Sequence, residues 1–170
     1  MFDKRAFVAL ICAALVILSL GAGKGHRAQA TPEKTKVDVS IALKVGGQPY
    51  NFSGKALCTY APQASIYDTN AQQWRVEHHE GPQSVSLTFW RPAAGSGDMF
   101  TLHCTIGGKS YRASTVRTSG GGTIQGSGKV TFTPSKPGGI FTIDATAANG
   151  LAVTGTIKCG AFTAAEDEGG

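Results

Sequence analysis

Apolar and polar residues take turns along most of this chain. Val37, Val39, Ile41, Leu43 and Val45 alternate with Asp38, Ser40, Ala42 and Lys44. A period of two marks a strand with one buried and one solvated face. The same rhythm returns in Trp74, Val76 and His78, in Val85, Leu87 and Phe89, and in Phe100, Leu102, Cys104 and Ile106. Later, Phe141, Ile143 and Ala145 run into Ala148-Asn149-Gly150, and Leu151, Val153, Ile157 and Cys159 follow. Asn-Gly accepts the positive φ angles of a type I′ turn, so these two runs read as a hairpin.

Turn signals separate the runs: Gly46-Gly47-Gln48, Glu80-Gly81-Pro82, Pro92 to Asp98, Gly107-Gly108 and Ser135-Lys136-Pro137-Gly138-Gly139. A further strand centres on Val130 and Phe132. The pattern predicts an all-β fold, a single antiparallel β-sandwich or barrel of about eight or nine strands. No stretch carries a helical period. The one gap, Ala61 to Gln72, reads as a helical turn or a long loop.

The first 30 residues follow a different rule. Lys4 and Arg5 precede an apolar run from Phe7 to Leu20, and Ala28-Gln29-Ala30 supplies a small-x-small exit. These are the three parts of a secretory signal peptide. The alternative is an uncleaved anchor. Phe7 to Ala22 is sixteen residues, close to the roughly 17 to 25 that cross a bilayer. Lys24, His26 and Arg27 before the exit also disfavour cleavage. Cys12 sits inside the run behind bulky Leu10 and Ile11, as an ordinary apolar residue rather than a lipid-attachment site. The expected organisation is a leader at 1–30, a β domain at 31–162 and a disordered acidic tail at 163–170. The tail ends Glu166-Asp167-Glu168-Gly169-Gly170 and is too polar to pack. The domain is expected outside the cytoplasm, periplasmic or secreted, and touching a membrane only if the leader is retained.

That division changes the charge picture. The full chain is +5. Lys4, Arg5, Lys24, Arg27 and Asp3 belong to the leader, so its removal takes 16 basic and 11 acidic residues to 12 and 10. The remaining cations, among them Lys44, Lys55, Arg75, Arg112, Lys129 and Lys158, are scattered. A nucleic-acid partner needs a clustered basic footprint, so none is expected.

The same removal leaves Cys58, Cys104 and Cys159, enough for one bridge and one thiol. Ser53-Gly54-Lys55-Ala56-Leu57-Cys58 and Thr154-Gly155-Thr156-Ile157-Lys158-Cys159 share a small-Gly-x-x-x-Cys form at a strand end. They are the expected pair. Cys104 shares a face with Leu102 and Ile106 and is expected as a buried free thiol, with an intermolecular bridge or a reactive group as the alternatives.

Candidate chemistry is sparse. Glu77-His78-His79-Glu80 is the densest set of metal-type ligands, but neighbours on a strand point to opposite faces. At best a His-Glu pair meets His103 from another strand, whereas zinc needs three or four ligands in a closed geometry. His103 and Cys104 are separated by the same alternation and cannot act as nucleophile and base. Asp68, Asp98 and Asp144 are dispersed, so no triad is legible. Gly120-Gly121-Gly122 and Gly126-Ser127-Gly128 are followed by Val130-Thr131-Phe132, strand rather than the helix a phosphate loop opens. Asn51-Phe52-Ser53 fits a glycosylation sequon in a eukaryotic setting. No catalytic residue, metal or cofactor is expected. Trp90 falls with Ser84, Ser86 and Thr88, opposite Val85, Leu87 and Phe89. On a solvated face it forms, with Arg91, a candidate surface anchor. A covered face would bury it instead.

Several pieces resemble the mycobacterial 19-kDa lipoprotein antigen family and, in style, uncharacterised secreted bacterial β proteins. They are Phe52-Ser53-Gly54-Lys55-Ala56-Leu57-Cys58-Thr59, Gln83-Ser84-Val85-Ser86-Leu87, Gly126-Ser127-Gly128 and the closing strand to Cys159. The resemblance implies a secreted or anchored β domain bridged between early and late cysteines, and it brings no catalytic residues. This chain departs from the family in lacking a lipobox and in adding Cys104. Two functions follow as expectations. The first is a non-catalytic envelope module binding a protein, glycan or lipid. The second is an inhibitor of a secreted hydrolase such as a lysozyme or protease, presenting loops at Ala61 to Asn70 or Pro92 to Asp98. An enzyme using His78, His79 or His103 stands third.

Overall fold

A computed structural model describes residues 35–95, 97–117 and 125–165. The expected leader, Gly120-Gly121-Gly122 and the last five residues lie outside them. The described residues are all-β. In chain order the strands are β1 (Val37–Val45), β2 (Gln48–Ile66), β3 (Thr69–Glu80), β4 (Gln83–Pro92) and β5 (Met99–Ile106). They continue as β6 (Lys109–Ser114), β7 (Ser127–Ser135), β8 (Gly138–Thr146), β9 (Ala152–Cys159) and the short β10 (Thr163–Ala164).

The first nine form one antiparallel sheet in the order β6-β5-β4-β3-β2-β1-β9-β8-β7. The sheet coils because long β2 serves two neighbours in turn. Its first half pairs with β1, from Val45↔Gln48 to Val37↔Ala56. Its second half pairs with β3, from Leu57↔Glu77 to Ile66↔Thr69. Edges β6 and β7 then come together. Ser114 N–H donates to Gln125 O at 2.6 Å, and Ala148 N–H to Arg112 O at 2.8 Å. The result is a nearly closed barrel, which hides edge groups that would otherwise template aggregation.

Alternation packs the interior. Val39, Ile41, Leu43 and Val45 point inward from β1, Val85, Leu87 and Phe89 from β4, and Phe141, Ile143 and Ala145 from β8, all buried. Gly155 marks the tightest strand approach. At φ 136° a Cβ there would lie 2.1 Å from Ala42 O on β1. Only glycine fits that position. Cys58 on β2 is bonded to Cys159 on β9, 101 residues away, with Cα atoms 6.3 Å apart. The bridge joins the two strands flanking β1. Closing a loop of about 100 residues stabilises by up to about 4.7 kcal/mol in the chain-entropy model. Cys104 is a free, buried thiol.

Two expectations need correction. Ala61 to Gln72 is neither helix nor long loop. It is the end of β2, a two-residue turn at Tyr67 and Asp68, and the start of β3. Both turn residues have positive φ, 50° and 60°, as a type I′ turn requires. Neither is Gly or Asn, so the turn left no strong signal. Pro62 is accommodated where the register slips between Ala61 and Ala64. Thr163 to Ala165, expected as the start of the tail, also lie against the sheet. Thr163 and Ala164 add to β2 in parallel beside Thr59 and Tyr60. Thr163 Oγ1 donates to Cys58 O at 3.3 Å and Ala165 N–H to Tyr60 O at 3.1 Å. Phe162 anchors this segment by packing on the core.

Candidate functional site

The two ends of the barrel are chemically different. The rim end carries the Tyr67-Asp68 turn, the loop from Ala93 to Asp98 and the Lys136-Pro137 turn. Below it lies an aromatic layer. Trp74 and Phe132 stand 4.8 Å apart, Phe132 and Phe141 4.8 Å, and Tyr60 and Trp74 4.9 Å, measured between ring centroids. These distances suit offset and tilted pairs.

Arg91 closes this layer. It continues the inward row of Phe89, and its guanidinium carbon lies 5.7 Å from the ring centroids of both Trp74 and Phe89. Its Nε and Nη2 donate to Asp98 Oδ1 and Oδ2 at 3.1 and 3.0 Å. This two-pronged bond to Asp98 pushes the guanidinium pKa up. Trp90 points the other way. It is half-buried against Ile66, Ala71 and Met99 under the folded-over end of the β2–β3 hairpin. The tip is tied down by the Tyr67 hydroxyl, which donates to Arg117 O at 3.0 Å and accepts the Arg117 N–H. Trp90 and Arg91 thus take opposite faces of the sheet. One is covered on the outer face, and the other is engaged at the barrel mouth.

Beside this mouth runs an open groove of about 390 Å³. The hairpin lines it with Pro62, Asn70, Ala71 and Gln72, and the end of β4 with Arg91, Pro92 and Ala93. Ala93 N–H donates to Asn70 O at 2.8 Å and holds the two walls together. Tyr67, 51% exposed, stands at the tip of the same hairpin. The two loop segments singled out in the sequence therefore belong to one rim.

The opposite end carries the Gly46-Gly47, Gly81-Pro82 and Gly107-Gly108 turns and holds a different set of groups. His78 is inward and 3% exposed, with its ring stacked 3.7 Å from Phe52. Tyr50 is 5% exposed, its ring centroid 6.3 Å from that of His78. Neither Tyr50 Oη nor His78 Nε2 has a hydrogen-bond partner. Burial lowers the His78 pKa, with Glu80 pulling it up and His79 pushing it down. Burial raises the Tyr50 pKa, helped by Glu80 and Cys104. Burial also pushes the Cys104 thiol up to about 12.

The remaining candidates separate by face. Glu77 faces outward and pairs with Arg75. His79 and Glu80 are exposed. His103 faces outward, with Nε2 3.2 Å from Ser110 Oγ. In register, Glu77 and His103 flank Ser86 on one outer row. Among the described residues no three His, Cys, Asp or Glu side chains converge on a metal position. Tyr50 and Asp98 were missed from the sequence. Tyr50 carries no motif, and Asp98 gains its role only when the loop folds back onto Arg91. Comparison with family models, characterised proteins and solved structures returned no match.

Proposed function

We propose that this chain is an extracytoplasmic, non-catalytic binding module that receives a partner on the rim of the β2–β3 hairpin and the β4–β5 loop. The observation that carries this reading is the construction of the rim. Tyr67 is exposed at its tip. The groove beside it is lined by prolines, alanines, amides and Arg91. One hydrogen bond donated and one accepted by the Tyr67 hydroxyl, with the Arg91–Asp98 pair, hold both segments in place. A rigid rim loses little entropy on binding. The interior beneath it is filled with side chains. The Cys58–Cys159 bond supports an oxidising compartment, as does the leader pattern in the first 30 residues. The resemblance to the lipoprotein antigen family supports the same class.

Capture from the envelope fraction and culture fluid of the source organism tests the proposal. Wild-type protein and a Leu151→Ala variant at the far end should retain the same partner. A Tyr67→Ala/Gln72→Arg variant should lose it. Equal recovery by all three overturns the assignment to the rim. The hydrolase-inhibitor reading draws on the same feature, because both expected inhibitory loops meet there. It predicts a hydrolase recovered at near-equal stoichiometry, with its activity suppressed by the wild type alone.

A further inference from the structure

Apart from tyrosine, tryptophan and cysteine, two polar side chains are buried among the described residues, Ser114 and His78. Ser114 is fully engaged. Its hydroxyl lies 3.0 Å from Thr101 Oγ1, donates to Phe100 O at 3.2 Å and accepts Val116 N–H at 3.1 Å. His78 is not engaged through Nε2. Its surroundings suit only the neutral ring. From β2 it meets the Phe52 face and, further off, the Tyr50 ring. Its cross-strand neighbour on β4 is buried Val85. Beyond Val85 the same inner row holds the Cys104 thiol on β5 and Tyr111 on β6. Its own strand adds exposed Glu80 and His79. No carboxylate among the described residues is buried with it.

His78 also lies two residues from the end of β3, next to the Gly81-Pro82 turn. Strand ends open locally at far less cost than strand centres. We propose that His78 is a pH-sensitive latch. The neutral ring lies on Phe52 inside the barrel, and the protonated ring leaves the interior and opens that end of the sheet. Above the ordinary imidazole pKa of about 6.5, closed and open states are both neutral and pH has no leverage. Below it the open state binds the proton first, because burial lowers the pKa of the closed state. Closure is therefore lost as pH falls. Glu80 favours the cation and partly opposes this, but burial is the larger influence.

Cys104 reports the opening, since it is buried on the same inner row. Its alkylation in the folded full chain is compared with the denatured chain at each pH, which cancels thiol chemistry, and is read on the Cys104 peptide by mass spectrometry. Wild-type labelling should rise relative to the denatured reference by up to about 25-fold from pH about 7 to about 5, for one group of open-state pKa about 6.5. His78→Leu and His78→Gln should flatten that rise, whereas His79→Leu should keep it. A flat wild-type ratio, or a rise that survives both His78 substitutions, overturns the latch. An NMR titration of His78 in the wild type is independent of whether the variants fold. A ring that titrates in the folded protein at or above about 6.5 also overturns it.

Discussion

The rim end and the opposite end of the barrel both set polar groups against aromatic rings, but the Arg91–Asp98 pair stays partly exposed at the mouth whereas His78 and Tyr50 are buried. At the rim, Arg91 lies over Trp74 and Phe89 with two hydrogen bonds to Asp98. At the other end, His78 lies on Phe52 with Nε2 unpartnered, and Tyr50 Oη is equally alone. A polar group that keeps its partners and part of its hydration costs little, whereas a buried, orphaned one costs about 1–3 kcal/mol. The first arrangement makes a rigid platform. The second makes a weak point whose closure depends on the protonation state of one ring.

The contrast can be broken experimentally. The largest effect is expected from the aromatic layer. Phe141→Ala should cost about 3–5 kcal/mol in chemical denaturation, because a fully buried ring leaves a cavity. A loss below about 1 kcal/mol would mean that the layer is loosely packed. Replacing both bridge cysteines with alanine should cost about 2–4 kcal/mol and lower Tm, if β1 is stapled between its neighbours as described. Arg91→Met should cost only about 1 kcal/mol, since the pair with Asp98 is partly exposed and screened. Increased susceptibility of the 93–98 loop to proteolysis should accompany that change. Tyr50→Phe at the other end should be neutral or stabilising by up to about 1 kcal/mol, because it deletes a hydroxyl that has no partner. If Tyr50→Phe destabilised as much as Arg91→Met, the two ends would not differ as described.

Much of the fold was legible because alternation reports which face a strand buries. Val85, Leu87 and Phe89 were expected inward and are buried. His103 and Cys104 were expected on opposite faces, and His103 faces Ser110 outside while Cys104 is buried. The Cys58–Cys159 bond followed from matching local sequence around the two cysteines. The candidate site was far less legible. Trp90 satisfied the pattern of a solvated face, yet the hairpin end covers that face. Alternation reports the neighbours within one sheet and is blind to a segment that folds over the outside. The Tyr67-Asp68 turn escaped for a related reason. Its backbone is held in the left-handed region by the hairpin it closes and by the Arg117 contact, rather than by glycine.

By itself the sequence determined the local terms of this protein. The period of two set strand and facing, glycine and proline set most of the turns, and the cysteine surroundings pointed to one bridge. These are properties of neighbouring residues. Tertiary structure alone decided that the sheet's two edges, β6 and β7, come together, that Asp98 meets Arg91, that Trp90 is half-buried under the hairpin, and that His78 is buried without a partner at Nε2. Each of those depends on residues brought together across the barrel, where desolvation and hydrogen-bond satisfaction are settled by the packed surroundings and not by the adjoining sequence.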